Sequence, residues 1–172
     1  MSEKGELAAR LHLAWVRKLG QWWAHYNEEY LDGALAPPLI RLGEGAEQLG
    51  LWESRLRRLT IARRHLQDHP WLEVMETLRH EMAHQYAAEV LKAVDEPPHG
   101  PAFRLACQRL RCSPETRRQS GEEQPEDELV LRVLKKVLSL AGSPNEHEAQ
   151  AAVNKARRLL LEYNLDLVEL DR

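Results

Sequence analysis

His80-Glu81-Met82-Ala83-His84, followed at His99-Gly100 by a third histidine, is the stretch on which the reading of this chain turns. Side chains four apart on a helix lie one turn apart on the same face, so the imidazoles of His80 and His84 can grip one cation. Glu81 projects near that cation without ligating it, which leaves its carboxylate free to take a proton from a metal-bound water. His99 comes after an interval that holds the end of a helix and a turn. Pro97-Pro98-His99-Gly100-Pro101 makes its loop stiff, so the imidazole is placed at little ordering cost. The expected metal ligands are therefore His80, His84 and His99, with Zn2+ as cofactor. Three neutral ligands leave zinc its full charge and an open fourth position, where water is acidic enough to attack near neutral pH. Glu81 is the expected general base, handing its proton on to a leaving amine. Asp95 and Glu96 are alternatives for the third ligand. Tyr86 and Arg104 are candidates to stabilise an oxyanion, against plainer roles as a core tyrosine and a surface arginine. The pattern points to a zinc hydrolase, and first of all to a peptidase.

Working outward, the apolar residues from Leu7 to Tyr30 recur at helical spacing and predict a long amphipathic helix, broken near Gly20. Short strands are expected at Leu39–Leu42, Leu49–Glu53 and Leu56–Arg63, the last with Leu59 and Ile61 on one face. Pro70 suits the first position of the next helix, with Asp68 or His69 as cap, and that helix is expected to run from Trp71 to about Val94. Gly100-Pro101 starts another helix. A long helix, three strands and further helices give an α+β domain over residues 1–118. A polar linker at 119–125 leads to an α-helical hairpin over 126–172. Its first helix covers about Glu126 to Ala141. Its second opens at Ser143-Pro144-Asn145-Glu146, read as a capping box with proline at the first helical position, and runs to about Tyr163. About 45 residues are too few for confident independent stability, so the hairpin is expected to dock on the first domain, on a short helix near Leu167 or on a protein partner.

The chain has 172 residues, of which 43% are hydrophobic and 30% charged. No apolar run approaches the roughly 20 residues that span a bilayer, and the polar start carries no cleavable leader, so a cytoplasmic protein is expected. Residues 1–118 carry 17 basic and 16 acidic side chains; residues 119–172 carry 7 and 11. Neither part is basic enough for nucleic-acid binding to follow from charge alone. Arg55, Arg57, Arg58, Arg63 and Arg64 form a local basic run, readable either as a track for a phosphate backbone or as a solvated sheet edge. The five tryptophans read as packing residues and the two cysteines, Cys107 and Cys112, as plain thiols. The pair His147-Glu148 lacks a histidine partner at ligand spacing and reads as helix surface.

Three blocks together resemble the SprT-like zinc metalloprotease family: Tyr26-Asn27-Glu28-Glu29-Tyr30-Leu31-Asp32-Gly33-Ala34-Leu35, Thr77-Leu78-Arg79-His80-Glu81-Met82-Ala83-His84 and His99-Gly100-Pro101-Ala102-Phe103. The resemblance covers about residues 10–112. It implies a minimal zincin-like fold, a three-histidine zinc site, Glu81 as catalytic residue and, from the Spartan-type members, proteolysis of proteins crosslinked to DNA. Many members carry a four-cysteine zinc ribbon after this core; with two cysteines, no second zinc site is expected here. Residues of about 128–168, including Val133 to Ala141, Pro144 to Ala152 and Leu159 to Leu165, resemble a small bacterial helical domain of unknown function. The expectation is a zinc-dependent endopeptidase. The alternative is a zinc-binding, DNA-associated adaptor with little turnover.

Overall fold

The computed structural model describes residues 3–44, 48–115, 142, 144–162 and 164–165. Residues 16–120 form one compact unit; residues 1–15 with 121–172 form another. The first expected helix of the C-terminal hairpin and the short helix near Leu167 lie outside the described residues.

The chain opens with α1 (Glu3–Leu31), a single uninterrupted helix. The break expected at Gly20 does not occur. A Cβ at that position would meet nothing within 4 Å, so the glycine there serves no close approach, and the apolar periodicity on either side carries the helix through. It stops where Asp32 and Gly33 enter the left-handed region, at φ 51° and 71°. Asn27, buried at the end of α1, ties the following turn back: its amide donates to the Leu35 carbonyl at 2.9 Å, and the Leu35 N–H donates to its oxygen at 3.0 Å.

Three strands follow, β1 (Leu39–Gly43), β2 (Gly50–Glu53) and β3 (Arg58–Ala62). Their order is β1-β3-β2, with β1 parallel and β2 antiparallel to β3. The central strand places Leu59 and Ile61 on one face, both fully buried, as alternation requires. The last strand ends at Ala62 rather than Arg63, because Arg63–Asp68 forms a short helix, α2, that the sequence reading missed. Its side chains His65 and Leu66 are completely buried.

Helix α3 (Trp71–Glu89) begins at Trp71 as expected, with Pro70 at the cap position rather than the first helical one. His69 does not cap it; its Nδ1 lies 2.7 Å from Nδ1 of His65. The helix also ends about five residues early. Val90 and Leu91 donate to the Tyr86 carbonyl and Lys92 turns left-handed at φ 54°, so the chain doubles back toward α4 (Pro101–Leu110). Helix α3 packs on β2, β3, α2 and α4, and eleven of its nineteen residues are buried. In the other unit, α5 (Glu146–Glu162) is capped by Asn145, whose side-chain oxygen accepts from the N–H groups of His147 and Glu148. The cap thus lies two residues beyond Ser143, the position expected from the sequence. His147 and Glu148 are exposed.

Gly50 is where the sheet meets the helix. A Cβ there would fall 2.7 Å from Cγ2 of Thr77 and 2.9 Å from both Cγ and Oε1 of Glu81, distances no methyl group tolerates. Gly50→Ala is expected to cost about 1–3 kcal/mol through overpacking, read as a lower denaturant midpoint. An unchanged midpoint would show that β2 can lift away from α3 freely.

Candidate metal centre

The three histidines of the sequence reading converge. One ring nitrogen from each of His80, His84 and His99 lies within 4.8 Å of the others, a grouping able to hold a metal ion and the one such cluster among the described residues. The ring centroids are 5.1 to 5.3 Å apart. Helical geometry alone brings the first two together. The third arrives because the chain reverses after α3 and because the start of α4 is anchored. Glu96, named above as an alternative ligand, accepts the Ala102 N–H at 2.9 Å instead, satisfying an orphan donor at that helix N-terminus. Gly100 closes the turn onto the Pro97 carbonyl at 2.9 Å. Asp95 is exposed and outside the cluster.

Beneath the imidazoles lies Phe103, 1% exposed, stacked on His84 and His99 at centroid distances of 4.2 and 4.6 Å and edge-on to His80 at 5.0 Å. This ring gives the cluster a dry floor. Nδ1–H of His80 donates to the Ser113 carbonyl at 3.1 Å, which reserves its Nε2 as a lone-pair donor. Neither contact was read from the sequence. Phe103 stands in the block that resembles the family, but its place beneath all three imidazoles comes only with the fold. Ser113 carried no signal at all, since it contributes through its backbone.

Glu81 is buried on the face turned to β2, and the backbone N–H of Trp52 donates to its carboxylate. Beside it runs a cleft of about 470 Å3, lined on one side by the three histidines and Glu81 and on the other by Gly50, Leu51, Trp52 and the Pro97-Pro98 loop. The oxyanion candidates do not line it. Tyr86 accepts a hydrogen bond from Arg109 Nη1 at 3.0 Å, and Arg104 is exposed on α4.

The basic run is largely neutralised where it stands. Arg57 pairs with Glu89 at 2.7 Å, Arg58 with Glu53 at 2.9 Å and Arg63 with Glu44 at 3.2 Å. Trp15 and Trp23 are core residues, the latter donating to Gln85 at 3.2 Å. Among the described residues no helix is long and apolar enough to cross a membrane.

A model of the SprT-like family matches residues 19–123, more than half of the sequence, and the chain belongs to that family. The family described as protein of unknown function (DUF2786) matches residues 130–167. Neither the curated proteins nor the solved structures include a match to the chain. The helices and small three-stranded sheet fit a minimal zincin-like fold, and family and histidine cluster agree on a metalloprotease-like role.

In the metal-free chain this site works against itself. Burial pushes Glu81 up to about 8, with the Trp52 N–H pulling the other way. Burial, then the neighbouring His80 and His99, push His84 down to about 3. Because the folded value of Glu81 exceeds its unfolded value of 4.5, the folded chain holds the extra proton between these limits and loses stability as pH rises toward about 8. The depressed His84 does the opposite, losing stability as pH falls below 6.5. Between about pH 6.5 and 8 the glutamate slope is therefore unopposed by His84. In chelator-treated protein, Tm is expected to fall over that interval and Glu81→Gln to flatten the decline. The same decline in the variant would place its origin elsewhere.

Proposed function

We propose that this chain is a zinc-dependent endopeptidase whose ligands are His80, His84 and His99 and whose general base is Glu81. The observation that carries the reading is the convergence of three imidazoles beside a buried carboxylate, on the wall of a cleft open along β2. The donor set fits zinc: nitrogen ligands, three in number, with room for a fourth position. Held there, zinc would act as a Lewis acid, acidifying water and polarising a scissile carbonyl.

The chain's own groups do the rest. His80 is kept in one tautomer by Ser113, and Phe103 fixes the planes of His84 and His99. Trp52 orients the Glu81 carboxylate, which accepts a proton and returns it to the leaving nitrogen. With a dication held by the histidines, Glu81 would be ionised, since nearby positive charge favours the carboxylate form. Among the described residues β2 is an edge strand, and Gly50, Leu51 and Trp52 line the cleft. An extended peptide laid beside it meets backbone groups able to pair with its own.

Glu81→Gln is expected to keep the zinc and lower proteolysis of a denatured protein substrate by ~100-fold or more. His84→Ala is expected to lose the metal as well. Undiminished cleavage by Glu81→Gln would remove the base from the mechanism. Action on proteins bound or crosslinked to DNA is the finer extension of the reading, resting on the family resemblance. Cleavage of a DNA-binding protein that single-stranded DNA fails to stimulate would remove that extension while leaving the peptidase in place.

A further inference from the structure

One acidic residue beside the histidines has no part in the chemistry above, yet its contacts are unusually ordered. Glu76 lies one helical turn before His80 on α3, and the backbone of Ser113 bridges the two. The Ser113 N–H donates to Oε1 of Glu76 at 2.6 Å, and the Ser113 carbonyl accepts from Nδ1 of His80 at 3.1 Å. The other carboxylate oxygen, Oε2, accepts from Arg79 Nη2 at 3.0 Å. That guanidinium is itself held, donating to the Met75 carbonyl at 3.3 Å and lying 5.2 Å above the Tyr26 ring.

Ser113 is delivered to this position by the end of α4. Arg111 adopts the left-handed conformation at φ 55°, Arg111 N–H donates to Gln108 at 3.4 Å and Cys112 N–H to Cys107 at 3.0 Å. These are the paired bonds of a Schellman motif, in which the side chains at the Cys107 and Cys112 positions are brought together. Here that contact is between two thiols, joined by a hydrogen bond. The turn is rigid, and the next residue emerges along a defined line.

From this arrangement we infer that Glu76 is a positioning residue for the metal centre, acting on His80 through the backbone of Ser113. A carboxylate on the N–H of a peptide is a charge-assisted bond. The N–H and the carbonyl of Ser113 belong to successive peptide groups joined through Cα, so the coupling is positional: anchoring the N–H fixes where the carbonyl meets Nδ1 of His80. An acceptor fixed at Nδ1 keeps Nε2 of His80 free to ligate and holds its ring in the plane the cluster needs. The carboxylate is 23% exposed and Arg79 18%, so the relay is screened by water only in part.

The inference rests on the three-histidine reading, and the test separates the two. Zinc affinity of the full chain is measured by competition with a chromophoric chelator at fixed pH, without reference to catalysis. The metal-free Tm and the Co2+ absorption spectrum are recorded alongside. Glu76→Ala is expected to weaken zinc binding about 10- to 100-fold, the range for groups that orient metal-bound histidines, and to alter the Co2+ spectrum. Glu76→Gln, which keeps a neutral acceptor, is expected to fall between Glu76→Ala and the parent and serves if Glu76→Ala fails to fold. Affinity and Co2+ spectrum unchanged in a folded variant, with only the metal-free Tm lowered, would reduce Glu76 to a structural brace and overturn the proposal. His84→Ala is the control: if it binds zinc as tightly as the parent, the three-histidine reading itself fails.

Discussion

A carboxylate buried on the inner face of α3 is the constraint to which the surrounding structure answers. Glu81 is 6% exposed and has a single backbone donor from β2. A buried carboxylate is costly as an ion unless positive charge or enough hydrogen-bond donors stand beside it. The imidazoles of His80 and His84 next to it are themselves pushed toward neutrality by burial and by neighbouring imidazoles. Protons alone resolve this poorly, since the carboxyl and the histidines then shift in opposite directions. A dication held by the imidazoles would resolve it, because neutral nitrogens are what it binds and an ionised carboxylate is what it favours. The charge pattern of the site therefore complements the ion proposed for it.

The packing around α3 follows from that need. The edge strand must approach closely enough to give Glu81 its donor, and the absence of a side chain at Gly50 permits it. The loop after α3 must return far enough to bring His99 beside His84, which requires the helix to stop at Glu89. Phe103 excludes water from below the imidazoles, and the end of α4 presents the Ser113 peptide to His80. Farther out, His65 of α2 is completely buried and hydrogen-bonded with Thr77 at 2.7 Å. That contact fixes the side chain whose methyl rests against Gly50. Each element touching the site thus carries one contact that sets the position of a ligand or of the base.

Several features were visible in the residues themselves because they depend on neighbours close along the chain. Amphipathic spacing marked α1, α3 and α4, alternation marked β3, and Pro101 marked the start of α4. Boundaries were less secure. Gly20 suggested a break, but a glycine within a long apolar stripe weakens a helix without ending it. The sequence between Arg63 and Asp68 is too short and too basic to announce a helix, and α2 owes its existence to the burial of His65 and Leu66. The arginine run looked like a single basic surface. In the fold its members point to different glutamates, two of them 32 and 19 positions away in the chain, and that pairing leaves no trace in composition.

By itself the sequence determined the i,i+4 histidine pair, the glutamate between them and a third histidine braced by prolines, since helix periodicity and proline stiffness are local. It also carried the blocks by which the chain is recognised as SprT-like. Only the tertiary structure decided that His99 rather than Glu96 joins the pair, that Gly50 and Trp52 enclose Glu81, and that Ser113 and Glu76 stand behind His80. These depend on contacts between residues tens of positions apart, several of them made by backbone atoms that every residue possesses. No side-chain pattern could have announced them.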